Sequence, residues 1–287
     1  MRTHLSASQK LRQAFLATLL SGSLLAGPVR GLTQSDPQAP AGPPSPSLPE
    51  QELLKYRVEW NPPWWLFMLP SMDAGEATLR REGGVLYKDR KALKIVFTAR
   101  SSGTLTRWAD IHIDDCFEFT TDPETYCTFY VTKKVREGKR LRDLDITYFP
   151  DSQQIHLRET DVSGDSPRVL RDRMYDGIPP CVKDLFSALY DFRRGPLEAG
   201  TRRRVLVGED EQVKEVEVYV EKLEQVRTQT GVHSAWRLNT VAVMGGLFKH
   251  GGQFRIWLST DDRHMPVKFE AKASIGKVTG TLKEAKY

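Results

Sequence analysis

From Tyr56 to Leu282 the chain alternates apolar and polar residues in short runs, and a Gly, Pro, Asn or Asp turn signal closes a run about every 8–12 residues. Leu93, Ile95, Phe97 and Ala99 fall on one face of such a run, with Lys94, Val96, Thr98 and Arg100 on the other. The pattern recurs at Leu144, Ile146 and Tyr148, at Val216, Val218 and Val220, and at Val267, Phe269 and Ala271. Short connections between runs of period two specify an antiparallel meander.

One stretch breaks the period. Between Ile178 and Arg194 the apolar residues Val182, Leu185, Phe186, Leu189 and Tyr190 recur at helical spacing, with Lys183, Asp184, Ser187 and Asp191 on the opposite side. Pro179 and Pro180 can open a helix, and Gly195-Pro196 ends it. So many strands curl rather than stay flat. The expected fold is therefore mainly β: a strongly curved antiparallel sheet, an open barrel of roughly a dozen strands, packed around one amphipathic helix. Gly276 and Gly280 in the last run point to bending or close backbone approach.

Three segments follow from composition. Residues 1–31 have the layout of a secretory leader: Arg2, Lys10 and Arg12, then a Leu/Ala-rich run from Ala14 to Ala26, then small residues. That run is shorter than the roughly 20 residues that span a bilayer. Cleavage after Ala26 or after Gly31 both fit, and no cysteine lies near either site to carry a lipid anchor. Residues 32–52 read as a disordered linker, with six prolines between Thr33 and Glu50. Residues 53–287 form one β-rich domain. The expected location is the periplasm.

The net charge of +5 suggests a polyanion partner only superficially. Arg2, Lys10, Arg12 and Arg30 lie in the leader; without them 38 basic face 37 acidic residues, which removes the global electrostatic argument for a polyanion, and no nucleic-acid partner is expected. The cysteines are Cys116, Cys127 and Cys181. A direct rung between Cys116 and Cys127 does not fit a hairpin at Asp122-Pro123. Cys181 is free to reach either strand cysteine, and both pairings stay open.

Little here suggests chemistry. The histidines outside the leader, His112, His156, His233, His250 and His264, lack metal-site spacing, and no nucleophile elbow or phosphate loop occurs. Neither metal nor cofactor is expected. Asp261, Asp262 and His264 could share acid–base work, although the same residues make an ordinary polar turn. Arg202-Arg203-Arg204 could meet a phosphate or lipid head group, or form a solvated strand end. The run Trp64 to Leu69, bracketed by prolines, either closes the barrel end as core or forms a pocket rim or membrane-surface contact.

The segments Gly75–Leu79, Ala99–Gly103, Pro179–Asp184, Ser187–Tyr190, Arg193 with Gly195–Leu197, and Ile256–Ser259 with Asp262 and Pro266-Val267 together resemble the bacterial family catalogued as domain of unknown function 3108. The resemblance covers about Lys55 to Leu282. The Asn61–Pro70 stretch departs from the short turn expected there. The resemblance implies an exported protein of Gram-negative bacteria with no established activity and no catalytic residue to carry over. In outline it is similar to periplasmic lipoprotein carriers, in which helices lid a half-barrel, a likeness of fold rather than function.

The expected function is a non-enzymatic periplasmic binding module for a lipid or other apolar envelope component. Its candidate contacts are Trp60, Trp64, Trp65, Phe67 and Trp257. The alternative is a structural or docking protein of the envelope that uses Trp64–Leu69 against a protein partner or membrane surface. A hydrolase built on Asp261, Asp262 and His264 is the third reading.

Overall fold

The computed structural model describes residues 48–66, 68–242, 254–272 and 276–287. The leader and the linker up to residue 47 lie outside the described residues. Among the described residues two meanders make one sheet of fourteen strands. The first runs through β1 (Gln51–Asn61), β2 (Met72–Tyr87), β3 (Arg90–Ser101), β4 (Asp114–Thr121), β5 (Thr128–Glu137), β6 (Arg140–Phe149), β7 (Gln154–Asp161) and β8 (Arg168–Asp176). The second runs through β9 (Arg202–Glu209), β10 (Gln212–Thr228), β11 (Gly231–Ala242), β12 (Phe254–Ser259), β13 (Pro266–Lys272) and β14 (Lys277–Lys286). Within each meander every strand pairs antiparallel with its sequence neighbour, and β1 pairs with β14, so the order is β8 to β1, then β14 to β9. Glu52, expected in the linker, thus lies in the first strand.

The two sheet ends, β8 and β9, do not pair with each other; a strap and a helix join them. In the strap, Ile178 N–H donates to Gln153 O (2.9 Å) and Thr128 N–H to Val182 O (2.8 Å). Lys183 exchanges backbone bonds with β9, donating to Leu206 O (3.0 Å) and accepting from Gly208 N–H (2.8 Å). Cys127 is bonded to Cys181, fastening the strap to the residue before β5, and Cys116 is the free thiol, half-buried. Closing a loop of 54 residues restricts the unfolded chain by about 4 kcal/mol on the loop-entropy account. Two ion pairs cross the same gap, Lys133–Asp210 (2.7 Å) and Arg171–Glu211 (2.9 Å). Gly208 is required there, because a Cβ would run into the Tyr148 hydroxyl and Val182. At Gly280 the ring of Phe269 occupies the space of the missing side chain, which is the close approach expected from the sequence.

Helix α2 (Leu185–Arg193) is shorter than the expected Ile178–Arg194. The two prolines and the disulfide keep 178–184 extended, and Asp184 starts the helix as its N-cap, accepting from Phe186 N–H (2.8 Å) and Ser187 N–H (2.9 Å). Asp184 and Ser187 are buried rather than solvent-facing, since Thr128 and Ser187 hydroxyls both bond the Asp184 carboxylate. Burial still holds that carboxyl above its ordinary range. Leu185, Phe186 and Leu189 are half-buried. Phe186 stacks on Phe97 of β3 (4.7 Å) and meets Phe119 of β4 (5.4 Å). A short, seven-residue helix, α1 (Gly103–Ala109), stands where a strand was expected through Trp108.

The end of α2 carries a buried ion pair. Arg193 and Glu52 are both fully buried, and the guanidinium bonds both carboxylate oxygens at 2.7 Å. Tyr190 donates its hydroxyl to the same carboxylate (2.7 Å), and Arg193 also bonds Arg263 O (3.0 Å) and His264 O (3.1 Å). Burial pushes the Glu52 carboxyl up, but the bonds from Arg193 and Tyr190 outweigh it and hold the group below its ordinary value. Removing one partner from such a pair leaves an uncompensated charge. Glu52→Ala is therefore expected to lose about 3–5 kcal/mol in urea unfolding, and Glu52→Ala with Arg193→Met to recover part of that loss.

Candidate functional site

Between α2 and β9–β12 lies a cleft of about 150 Å³. The inward residues of a strand recur at every second position, so β9 contributes Val205 and Val207 and β10 contributes Val216 and Val218. Leu189 and Phe192 of α2 form the facing wall, and Phe254 and Ile256 of β12 the floor. The rim is charged. Lys183 pairs with Asp191 (2.7 Å) and Lys214 with Glu209 (2.6 Å), while exposed Arg204 brings the rim to the surface. Arg203 lies inside the rim with its guanidinium 3.7 Å over the Phe192 ring.

The candidate contacts expected from sequence do not converge on this cleft. Trp60 is fully buried on β1, packed with Met72 and Ile111. Trp257 is buried on the face of β12 opposite Ile256; its Nε1 donates to Glu224 (2.7 Å) and Lys268 Nζ sits 4.2 Å over its ring. Trp64 and Trp65 are 86% and 54% exposed, and Phe67 lies outside the described residues. The 64–69 segment therefore divides: Leu66 and Leu69 pack on the Trp60 cluster, while Trp64, Trp65 and Met68 face water. The cleft residues give little signal in the sequence because they come from separate runs; the one hint is Val205 and Val207, two apart, directly after Arg202–Arg204.

The Asp261–His264 residues make a turn between β12 and β13. Ser259 Oγ donates to Asp261 (2.7 Å), and His264 Nδ1 meets Arg193 O at 2.6 Å. The turn thereby supports the Arg193 ion pair, since Arg263 and His264 supply carbonyls to the same guanidinium.

A second polar cluster sits where β4 meets β5. Asp115 and Glu137 are 3% and 1% exposed. Arg136 N–H donates to Asp115 (2.7 Å), whereas neither Glu137 carboxylate oxygen has a hydrogen-bond partner among the described residues, with Arg140 3.7 Å away. Burial pushes Asp115 up to about 6; burial, and then the nearby Asp115 charge, push Glu137 up to about 7. Among the described residues, no group of three or more His, Cys, Asp or Glu could hold a metal ion.

A sequence profile of the family described as Protein of unknown function (DUF3108) matches residues 55–283. No curated protein matches the chain. Among solved structures, the chain is similar to a beta-barrel-like protein of domain of unknown function DUF1849 from Brucella abortus, with 10% identity and a TM-score of 0.53. That match covers 83% of this chain and 98% of the other, and it supports the open, barrel-like sheet. A protein with a YmcC-like fold from Bacteroides fragilis matches with 11% identity and a TM-score of 0.29, covering 85% of this chain and 99% of that one.

The carboxyl pair makes stability depend on pH. Both groups hold protons in the folded state that an unfolded chain releases near 3.8 and 4.5, so their contribution is present at acid pH and is lost as pH rises through about 6 to 7. Urea unfolding at pH 5 and pH 8 checks this. Glu137→Gln is expected to reduce the stability gained by wild type on going from pH 8 to pH 5.

Proposed function

The chain belongs to the DUF3108 family of proteins of unknown function, and on that premise we propose that it is a non-enzymatic binding module of the cell envelope that takes an apolar ligand in the α2–β9–β12 cleft. The observation that carries this reading is the cleft itself: aliphatic and aromatic walls around about 150 Å³, with a charged rim at the surface. An apolar cavity of about that size in an engineered core stays dry and binds benzene. Drug-sized ligands fill about 300–1,000 Å³, so the cleft would take the tip of a longer molecule rather than enclose it. A lipid chain fits that description. Export through the leader at residues 1–31 to the periplasm completes the proposal, supported by the basic start and the apolar run that follows.

A second reading has its own observation. Trp64, Trp65 and Met68 stand in water on a segment anchored by Leu66 and Leu69, as a docking patch for an envelope partner or a membrane surface would. One probe separates the two. The neutral dye N-phenyl-1-naphthylamine should brighten with wild type and with the Trp64→Ser, Trp65→Ser double variant, and fail to brighten with Val205→Trp, whose indole fills the cleft. Undiminished brightening with a folded Val205→Trp protein would rule the cleft out as the apolar site.

A further inference from the structure

Four cations line or rim the cleft, and three of them have carboxylate partners. Lys183 is held by Asp191 (2.7 Å), Lys214 by Glu209 (2.6 Å), and Arg204 by Glu217 (3.4 Å) and Glu215 (3.7 Å). Arg203 forms no ion pair among the described residues. Asp191, the acid whose charge reaches it, is committed to Lys183 and to Arg194 (3.0 Å).

The Arg203 guanidinium is nevertheless held in place. It stacks on the Phe192 ring, and Nη2 donates to Phe192 O (2.8 Å). On another side it presses on Gly195, where a Cβ would come within 2.6 Å of Nη1. Nε is buried and has no hydrogen-bond partner among the described residues. Burial also lowers the proton affinity of the group below its ordinary value. A positioned, partly desolvated charge with an unused donor is costly unless an anion completes it.

We infer that Arg203 is the head-group contact of the cleft, and that the ligand is a carboxylate-bearing amphiphile whose apolar end lies between Leu189, Val205 and Val218. The inference rests on the reading of the cleft as a ligand site. A carboxylate suits the site because it accepts charge-assisted hydrogen bonds from a guanidinium and supplies the one counter-charge that is missing. The apolar walls begin at the stacked Phe192 ring, so head and tail are served by adjacent surfaces.

Titration calorimetry with octanoate, 1-octanol and acetate tests this on the folded protein. Wild type should bind octanoate at least about tenfold more tightly than octanol or acetate, the difference that one charge-assisted contact supplies. Arg203→Leu should bring octanoate down to the level that the same variant shows for octanol, whereas Arg203→Lys, which keeps the charge but not the fork, should fall between. Equal binding of octanoate and octanol by wild type, or a preference for octanoate that survives Arg203→Leu, would overturn the head-group role while leaving the cleft as an apolar site. Acetate binding as tightly as octanoate would reduce Arg203 to a simple anion site. Failure of wild type to bind either octanoate or octanol would remove the cleft reading with it.

Discussion

The structure depends on one buried ion pair. Glu52 lies near the start of β1, which sits in the middle of the strand order, and Arg193 lies at the end of the helix that spans the gap between the two outermost strands. Hairpins can build each meander locally, but nothing in a hairpin makes fourteen strands curl onto a common interior. The bond from Arg193 to Glu52 ties the connector of the sheet's ends to the sheet's centre. Taking both charges out of water is costly, and the pair is tolerable because every side of it is occupied: Tyr190 on the carboxylate, and the carbonyls of Arg263 and His264 on the guanidinium. Such a contact adds little to stability over an apolar substitute. Our hypothesis is that it instead selects one seating of the helix, since any other leaves a bare charge inside.

The cleft is a consequence of that seating. With Tyr190 and Arg193 turned to β1 and Phe186 stacked on β3 and in contact with β4, the helix presents Leu189 and Phe192 to the second meander. The strap that precedes the helix is hydrogen-bonded to β9 and disulfide-bonded beside β5, so the helix is fixed at its start as well as its end. The space left against β9 and β10 is therefore bounded on one side by a helix tied down at both ends.

The strand architecture was legible because period-two alternation survives in almost every run, and the end of the helix was legible in Gly195-Pro196. The start of the helix was not. Pro179 and Pro180 are compatible with a helix, and only the tertiary partners, Thr128 on Asp184 and Cys127 on Cys181, show why the chain stays extended to residue 183. Residue polarity alone sets Asp184 and Ser187 opposite the apolar stripe, yet their partners are buried hydroxyls and amides. Glu52 carried no signal at all, since its partner is 141 residues away and its neighbours are the end of a proline-rich stretch. The tryptophans stand out in the sequence by size, yet Trp60 and Trp257 are buried away from the cleft, which is lined largely by valines, leucines and phenylalanines that look like any strand interior.

Native-state amide hydrogen exchange tests the central claim most directly. If the ion pair makes the helix part of the core, the amides of Ala188 to Phe192 will exchange only in the same cooperative opening as those of Leu54 and Tyr56 on β1. Helix amides that exchange through a separate low-energy opening, while β1 stays protected, would contradict it.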